Sequence, residues 1–370
     1  MVKHERRNYA GAVAGTAFAL FLVLLQVGFY FGFRRDISII QDSCNADIWI
    51  VPKALRGFDY SFPVEDAVYA TALSTPGVES AARVVFDWAR WRTPVSGEKE
   101  GVQLLGIEFD RGIEFDLGVR HQNLTALLGA EGCVLIDPKD RANLGLTRSN
   151  QKFAEINGRR AEVVGYVKDR HLFTTLCLVV TDLDNARAFL GYPVQHVSYI
   201  AIRCDKDENV ALVMQRLQAR IPDDRVMSAR QLHDLTQHYW TSRTGIGPIL
   251  SLAAVLATLV GFLTVMLTFY LLTAQKMPVF AALKALGASG GEIAGLIGVQ
   301  ASVCFLAGMV AASIAVAVAM AALSQTTISV VISPSTALAV TGLIALASAL
   351  ACIPAVRKIM RLEPAEAFRA

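Results

Sequence analysis

Three stretches of the chain carry no charged side chain: Asn8–Phe33, Gly245–Gln275 and Ile293–Val356. A helix needs about 20 apolar residues to cross a bilayer core. Asn8–Phe33 is long enough for one crossing and has an aromatic rim at Tyr30, Phe31 and Phe33. Its apolar run is longer than that of a signal peptide and lacks a small-residue cleavage site, so it reads as a retained span. Ile249–Thr273 is a second span, and Pro248 suits a helix start. The third stretch has 64 residues. Ser324-Gln325-Thr326-Thr327 and Ser333-Pro334-Ser335 divide it into Ile293–Leu323 and Thr336–Ile353. The pattern predicts four transmembrane helices.

Residues 34–243 read differently, with mixed α and β periodicities. Asp47–Pro52 alternates like a strand. Val64–Leu73 has helical spacing, ended by the Thr75-Pro76-Gly77 turn. Val78–Arg92 reads as a strand or hairpin, and Val102–Phe109, Ala161–Val167 and Leu176–Thr181 as strands. Leu183–Leu190 is helical and stops at Gly191. Val197–Ile202, Asn209–Ile221 and Arg225–Ser228 form a strand–helix–strand unit. The strand-rich middle, roughly Leu105–Asp182, reads as a possible second lobe. The expected fold class is thus a four-helix membrane protein with a large α/β extracytoplasmic domain inserted between the first and second helices. Its parts are 1–33 (N-terminus and first span), 34–243 (outer domain) and 244–370 (three spans, a helix at 276–288 and a C-terminal tail).

Composition supports this division. Hydrophobic residues make up 54% of the chain and charged residues only 18%, against about 25% in an average soluble protein. A wholly soluble enzyme and a disordered chain are both excluded. Lys and Arg in the short flanks set orientation. Lys3, Arg6 and Arg7, then Lys276 and Lys284, then Arg357, Lys358, Arg361 and Arg369 share one side, which is therefore cytoplasmic. Arg34 and Arg35 fall outside, against the rule. With these flanks set aside, the outer domain holds 26 basic and 28 acidic residues, a net of −2. That offers no basic surface for nucleic acid.

No catalytic site emerges from the outer domain. The six histidines, His4, His121, His171, His196, His233 and His238, form no metal motif. Cys44, Cys133, Cys177 and Cys204 lie where disulfides are permitted but lack C-x-x-C spacing, which leaves one disulfide or none. Cys304 and Cys352 read as packing residues within spans. Asn123-Leu124-Thr125 is a glycosylation sequon by pattern only. Gly15, Ser61 and Ser74 have no nucleophile-elbow context.

The informative segments are the two cytoplasmic ones. In Gln275–Glu292, Phe280, Leu283, Lys284 and Gly287 fall at i, i+3, i+4 and i+7 of a short helix. Gly287 is a suitable stop, and Ser289-Gly290-Gly291 restarts the chain. With two lysines the helix is too poor in cations for a lipid-surface helix, so its apolar face, carried by Phe280, Leu283 and Leu286, is expected to dock a protein.

This stretch, Phe280-Ala-Ala-Leu-Lys-Ala-Leu-Gly-Ala-Ser289, resembles the coupling-helix signature of FtsX-like (MacB-type) ABC transporter permeases. Arg361-Leu362-Glu363-Pro364-Ala365-Glu366-Ala367-Phe368-Arg369 resembles the family's C-terminal tail, and the layout of the spans is similar too. Cys44-Asn45-Ala46-Asp47-Ile48-Trp49-Ile50 resembles the DevC-type exporter branch. Many relatives place an acidic residue where Val279 stands. The resemblance implies an ATPase-coupling site of Lys276, Phe280, Leu283, Lys284, Leu286 and Gly287, and a C-terminal motif of Arg361, Leu362, Pro364 and Phe368. It implies no cofactor and no catalysis in this chain, because ATP belongs to a separate ABC ATPase subunit. In keeping with that, the sequence has no G-x-x-x-x-G-K-[ST] loop.

Implied partners are that ATPase, a second copy of the permease, a periplasmic adaptor, an outer-membrane channel and the lipid bilayer. The implied location is the bacterial inner membrane, with the large domain in the periplasm. The leading function is export of an amphiphile, glycolipid or drug. The alternatives are an FtsX-like regulator of cell-wall hydrolases, a LolC/LolE-like lipoprotein-releasing permease and a membrane-anchored sensor.

Overall fold

The structure is a computed structural model, and it describes residues 2–109, 111–119, 124–147, 151–167, 177–323, 326 and 329–361. Residues 33–247 form one compact unit, and the apolar helices that flank them in sequence form another.

In the first unit, helices α1 (Val2–Ile37) and α2 (Ile39–Asp42) lead into β1 (Ile48–Pro52). Then come β2 (Val64–Glu65), α3 (Ala67–Leu73), β3 (Val78–Arg92), β4 (Lys99–Ile107), α4 (Leu124–Leu128) and β5 (Cys133–Ile136). Next are β6 (Phe153–Ile156), β7 (Arg159–Tyr166), β8 (Cys177–Asp182), α5 (Leu183–Leu190), β9 (His196–Val197) and β10 (Tyr199–Cys204). The unit closes with α6 (Val210–Arg220), β11 (Asp224–Ser228) and α7 (Ala229–His238).

Among the described residues, nine strands join in the order β11-β1-β10-β3-β4-β8-β5-β7-β6. β1 is antiparallel to both β10 and β11. Those two strands are therefore parallel, and α6 makes the crossover between them, which is the strand–helix–strand unit read from the sequence. Its helix is capped by Asn209, whose side chain accepts from the Ala211 amide at 2.9 Å.

Two expectations need correction, and one left open between strand and hairpin is decided. Val64–Leu73 is not one helix. Val64 and Glu65 pair with Val197 and His196 as a short strand, and the helix begins only at Ala67. Val78–Arg92 is a single 15-residue strand, and the chain turns after it, where the Thr93 amide donates to the Glu98 carbonyl at 2.9 Å. The strand-rich middle is not a separate lobe. β3 is long enough to pair with β10 near its start and with β6 at Trp91 and Arg92, so β3-β4-β8-β5-β7-β6 closes on itself and shares β3 with the rest of the sheet.

The sheet is apolar on both faces, which explains the uninterrupted IWIVP run of β1. Ile48 and Ile50 join one core with Leu183, Ala186, Phe189, Val213 and Leu217. Trp49 and Val51 join the other with Ile39, Ile40, Leu124, Leu128 and Leu232. Alternation along a strand sends neighbours to opposite faces, so a sheet covered on both sides needs apolar residues at every position. Trp49 anchors the second core, edge-on to Phe58, Phe115 and Tyr199.

The other unit holds most of α1 with α8 (Ile246–Gln275), α9 (Met277–Ala285), α10 (Gly290–Leu323) and α11 (Pro334–Arg361). Four helices among the described residues are long and apolar enough to cross a membrane: Tyr9–Ile37, Ile246–Gln275, Gly290–Leu323 and Pro334–Pro354. The first helix continues past Phe33 to Ile37 rather than ending at the aromatic rim. Small residues let these helices approach closely. A Cβ on Gly15 would meet Thr268 at 2.9 Å, and one on Gly308 would meet Thr16 at 2.7 Å. Gly11 has nothing within 4 Å.

Candidate functional site

Local sequence sets the ends of the helix between α8 and α10. Pro278 sits in the first turn of α9, where a missing amide hydrogen costs nothing. At the other end Gly287 has φ +98°, a left-handed conformation that favours glycine. The Gly287 amide donates to the Lys284 carbonyl at 3.1 Å and the Ala288 amide to the Leu283 carbonyl at 3.0 Å. Together they form a complete Schellman stop.

Two residues later the chain starts again. Ser289 Oγ accepts from the Glu292 amide at 3.3 Å, while Glu292 Oε2 accepts from the Ser289 amide at 2.8 Å. This reciprocal capping box opens α10. LGASGGE is therefore one helix stop and one helix start placed back to back, which holds α9 at a set angle to the span that follows.

The helix has an inside and an outside. Phe280 is only 2% exposed and belongs to one packed cluster with Phe269, Leu272, Ile297 and Ala301. Leu283 and Met277 are half-buried and pack on the same cluster. Phe280 and Leu283, two of the three residues expected on a docking face, thus pack against the spans. Phe280 is closed off, while Leu283 keeps part of its surface open. The open side carries Pro278, Val279, Ala282, Ala285 and Leu286, with Val279 54% and Leu286 85% exposed. Of the expected apolar anchors only Leu286 lies on it. Both sides of this helix are apolar, so the period in the sequence could not tell them apart.

Lys276, the N-cap of α9, donates to the Tyr9 hydroxyl and lies over its ring, 4.4 Å from the centroid. Its position ties the head of α9 to α1, and Lys284 is half-buried as well. Leu362, Pro364 and Phe368 lie outside the described residues, as does the side chain of Arg361.

In the α/β unit, the sequence signals for chemistry stay silent. The described residues hold no group of three or more His, Cys, Asp or Glu side chains able to bind a metal. His233 Nδ1 pairs with Asp42 Oδ1 at 2.9 Å, joining α7 to α2. His121, His171 and Asn123 are outside the described residues. All six cysteines are free thiols in the structure. Burial pushes Cys44 up to about 12 and Cys204 up to about 11, which keeps both protonated and unreactive at neutral pH.

One group that sequence reading missed is Asp59. It is buried beside Trp240, whose indole donates to its Oδ2 at 2.8 Å. Burial raises this carboxyl from 3.8 to about 6, and the indole hydrogen bond opposes the shift. No local pattern marks it, because its partner is 181 residues away.

Comparison with known proteins adds an independent finding. Residues 251–364 match the model of the FtsX-like permease C-terminal domain, and residues 9–220 match that of the MacB-like periplasmic core domain. Among solved structures, the periplasmic region of MacB from Actinobacillus actinomycetemcomitans is similar at 13% identity, covering 57% of this chain and 98% of that one, with a TM-score of 0.36. The extracellular domain of the noncanonic ABC-type transporter YknZ from Gram-positive bacteria is similar at 14% identity, covering 49% and 98%, with a TM-score of 0.34. No curated protein matches the chain.

Proposed function

We infer the function from one premise: this chain belongs to the ABC transporter permease family that joins a MacB-like periplasmic core domain to an FtsX-like C-terminal domain. We propose that it is the membrane subunit of a MacB-type, DevC-like exporter, driven by a separate ATPase. In this reading residues 34–243 lie outside the cytoplasm and 276–288 inside it. The subunit works as a dimer in the bacterial inner membrane and moves an amphiphilic substrate toward an adaptor and an outer-membrane channel.

The observation that carries the proposal is the geometry of α9. A rigid nine-residue helix is clamped by Phe280 on one side and bounded by Gly287, and it turns Val279, Ala282, Ala285 and Leu286 outward. A continuous apolar strip of this kind fits a groove on a protein partner. The seat beneath it, made of α8 and α10 residues, suits transmission of motion rather than chemistry. Phe280, Leu283 and Lys276 then hold the helix, while Leu286 and Val279 make the contact.

Co-expression with its ATPase tests the proposal. The chain purified alone should not hydrolyse ATP, and the complex should. Cysteine labelling in intact cells should reach Val95 in the α/β unit from outside but not Ser289. An export defect without the chain supports transport. A cell-wall hydrolase defect with normal export would instead place it with the FtsX-like regulators, and outside labelling of Ser289 would overturn the orientation.

A further inference from the structure

Arg34 and Arg35 close the last turn of α1 and run against the charge rule for an outer flank. Their surroundings in the α/β unit give them a purpose. Arg34 Nε donates to Gln237 Oε1 at 3.2 Å, and Gln237 Nε2 returns a bond to the Arg34 carbonyl. Three residues beyond Gln237 is Trp240, bonded to Asp59. Tyr60 stacks on Trp240 at 6.2 Å and meets Tyr239 edge-on at 5.7 Å. The indole of Trp88 donates to the Asp59 carbonyl at 3.3 Å. A Cβ on Gly57 would touch the Tyr239 ring at 3.2 Å.

The cluster continues directly into a membrane helix, because Gly247, in the first turn of α8, lies against the backbone of Thr241. Around this point the chain leaves aromatic rings and cations in the open. Tyr60 is 42% and Trp88 44% exposed. Arg34, Arg35, Arg56 and Arg243 are exposed as well. Of the acids nearby, Asp36 and Asp59 are buried, Asp42 bonds to the His233 ring, and Asp87 turns back to accept from the Trp88 amide at 2.7 Å.

We propose that this collar binds the headgroup layer of the bilayer, with Tyr60 and Trp88 at the level of the headgroups and Arg35, Arg56 and Arg243 on the phosphates of anionic phospholipids. Rings with one polar end and one apolar end gather at that depth, and guanidinium groups bind phosphate in a fork. Continuity with the first turn of a membrane helix is what selects lipid over a protein partner. The inference rests on α8 spanning the membrane and does not depend on what the protein exports.

The full chain in nanodiscs tests it. Trp49 and Trp91 are fully buried and Trp240 nearly so, so Trp88 supplies most of the indole emission open to a quencher. A nitroxide on the lipid headgroup should quench the wild type about twofold more than Trp88→Phe. Thermal unfolding should shift upward when phosphatidylglycerol replaces part of the phosphatidylcholine. The combined Arg35→Gln, Arg56→Gln and Arg243→Gln variant should lose that shift while unfolding like the wild type in pure phosphatidylcholine. Both results are required. Equal nitroxide quenching of the two proteins, with Trp88 quenched instead by iodide in solution, would overturn the proposal. So would an anionic-lipid shift that survives the triple variant. A triple variant that unfolds earlier in pure phosphatidylcholine is replaced by the single Arg35→Gln and Arg243→Gln variants, each of which must reduce the shift.

Discussion

The indole nitrogen of Trp240 donates to the buried carboxylate of Asp59 at 2.8 Å, across 181 residues of chain. The bond ties the loop after β1 to the segment that leads into α8. Tyr199 supports the same loop from the sheet, with its hydroxyl donating to the Phe58 carbonyl at 2.6 Å and its ring stacked on Phe58 at 4.5 Å. Asp59 is thus a strut, and its charge state has a measurable consequence.

Burial raises the Asp59 carboxyl from 3.8 to about 6. The folded protein therefore holds this proton more tightly than the unfolded chain does. The stability it contributes is complete below about pH 4 and is lost as the pH rises through about 6. Asp59→Asn keeps the acceptor for Trp240 and removes the titration. Relative to the wild type, the variant should gain about 3 kcal/mol between about pH 4 and about pH 8, from a shift of about two units. Thermal unfolding of the full chain followed by tryptophan emission measures it, and an unchanged difference across that range would show that Asp59 does not titrate as a buried acid.

The two sides of α9 should respond differently to substitution. Phe280→Ala empties a buried site and should cost about 3–5 kcal/mol of stability. Leu286→Asp, on the exposed side, should leave unfolding unchanged within about 0.5 kcal/mol while weakening ATPase capture tenfold or more, the loss of about 1–2 kcal/mol typical of an apolar anchor. Unfolding curves and ATPase pull-down on the same preparations separate the two effects. Normal capture by Leu286→Asp would remove the outer face from the interface.

Gly287 adopts φ +98° with open space around it. A side chain there is strained by conformation and not by contact. Gly287→Ala should cost about 1–2 kcal/mol, and Gly287→Asn, which tolerates the left-handed region, should recover part of the loss. The order of unfolding temperatures, wild type above Asn above Ala, is the check.

Gln41 is buried in α2 with neither its amide nitrogen nor its amide oxygen hydrogen-bonded among the described residues. An unpaired buried amide is destabilising by about 1–3 kcal/mol. Gln41→Met keeps the length and removes the polar atoms, so it should stabilise the chain by about 1 kcal/mol. A lower unfolding temperature for this variant would mean that the amide has a partner in solution.

The spans were legible from charge-free runs, because a membrane helix is specified by local composition and satisfies its own backbone. The helix stop at Gly287 and the restart at Ser289 were legible as well, since each involves residues three to five apart. So were β1, α5 with its Gly191 stop, and the β10–α6–β11 unit. Tertiary structure alone decided that β3 runs unbroken to Arg92, because two different partners, β10 and β6, hold its two ends. It also placed Asp59 beneath Trp240, a pairing that no local periodicity can encode. Most instructive is α9. Apolar on every side, the helix has no sequence contrast to choose its inner face, and only packing against Phe269, Leu272 and Ile297 turned Phe280 inward and left Leu286 free.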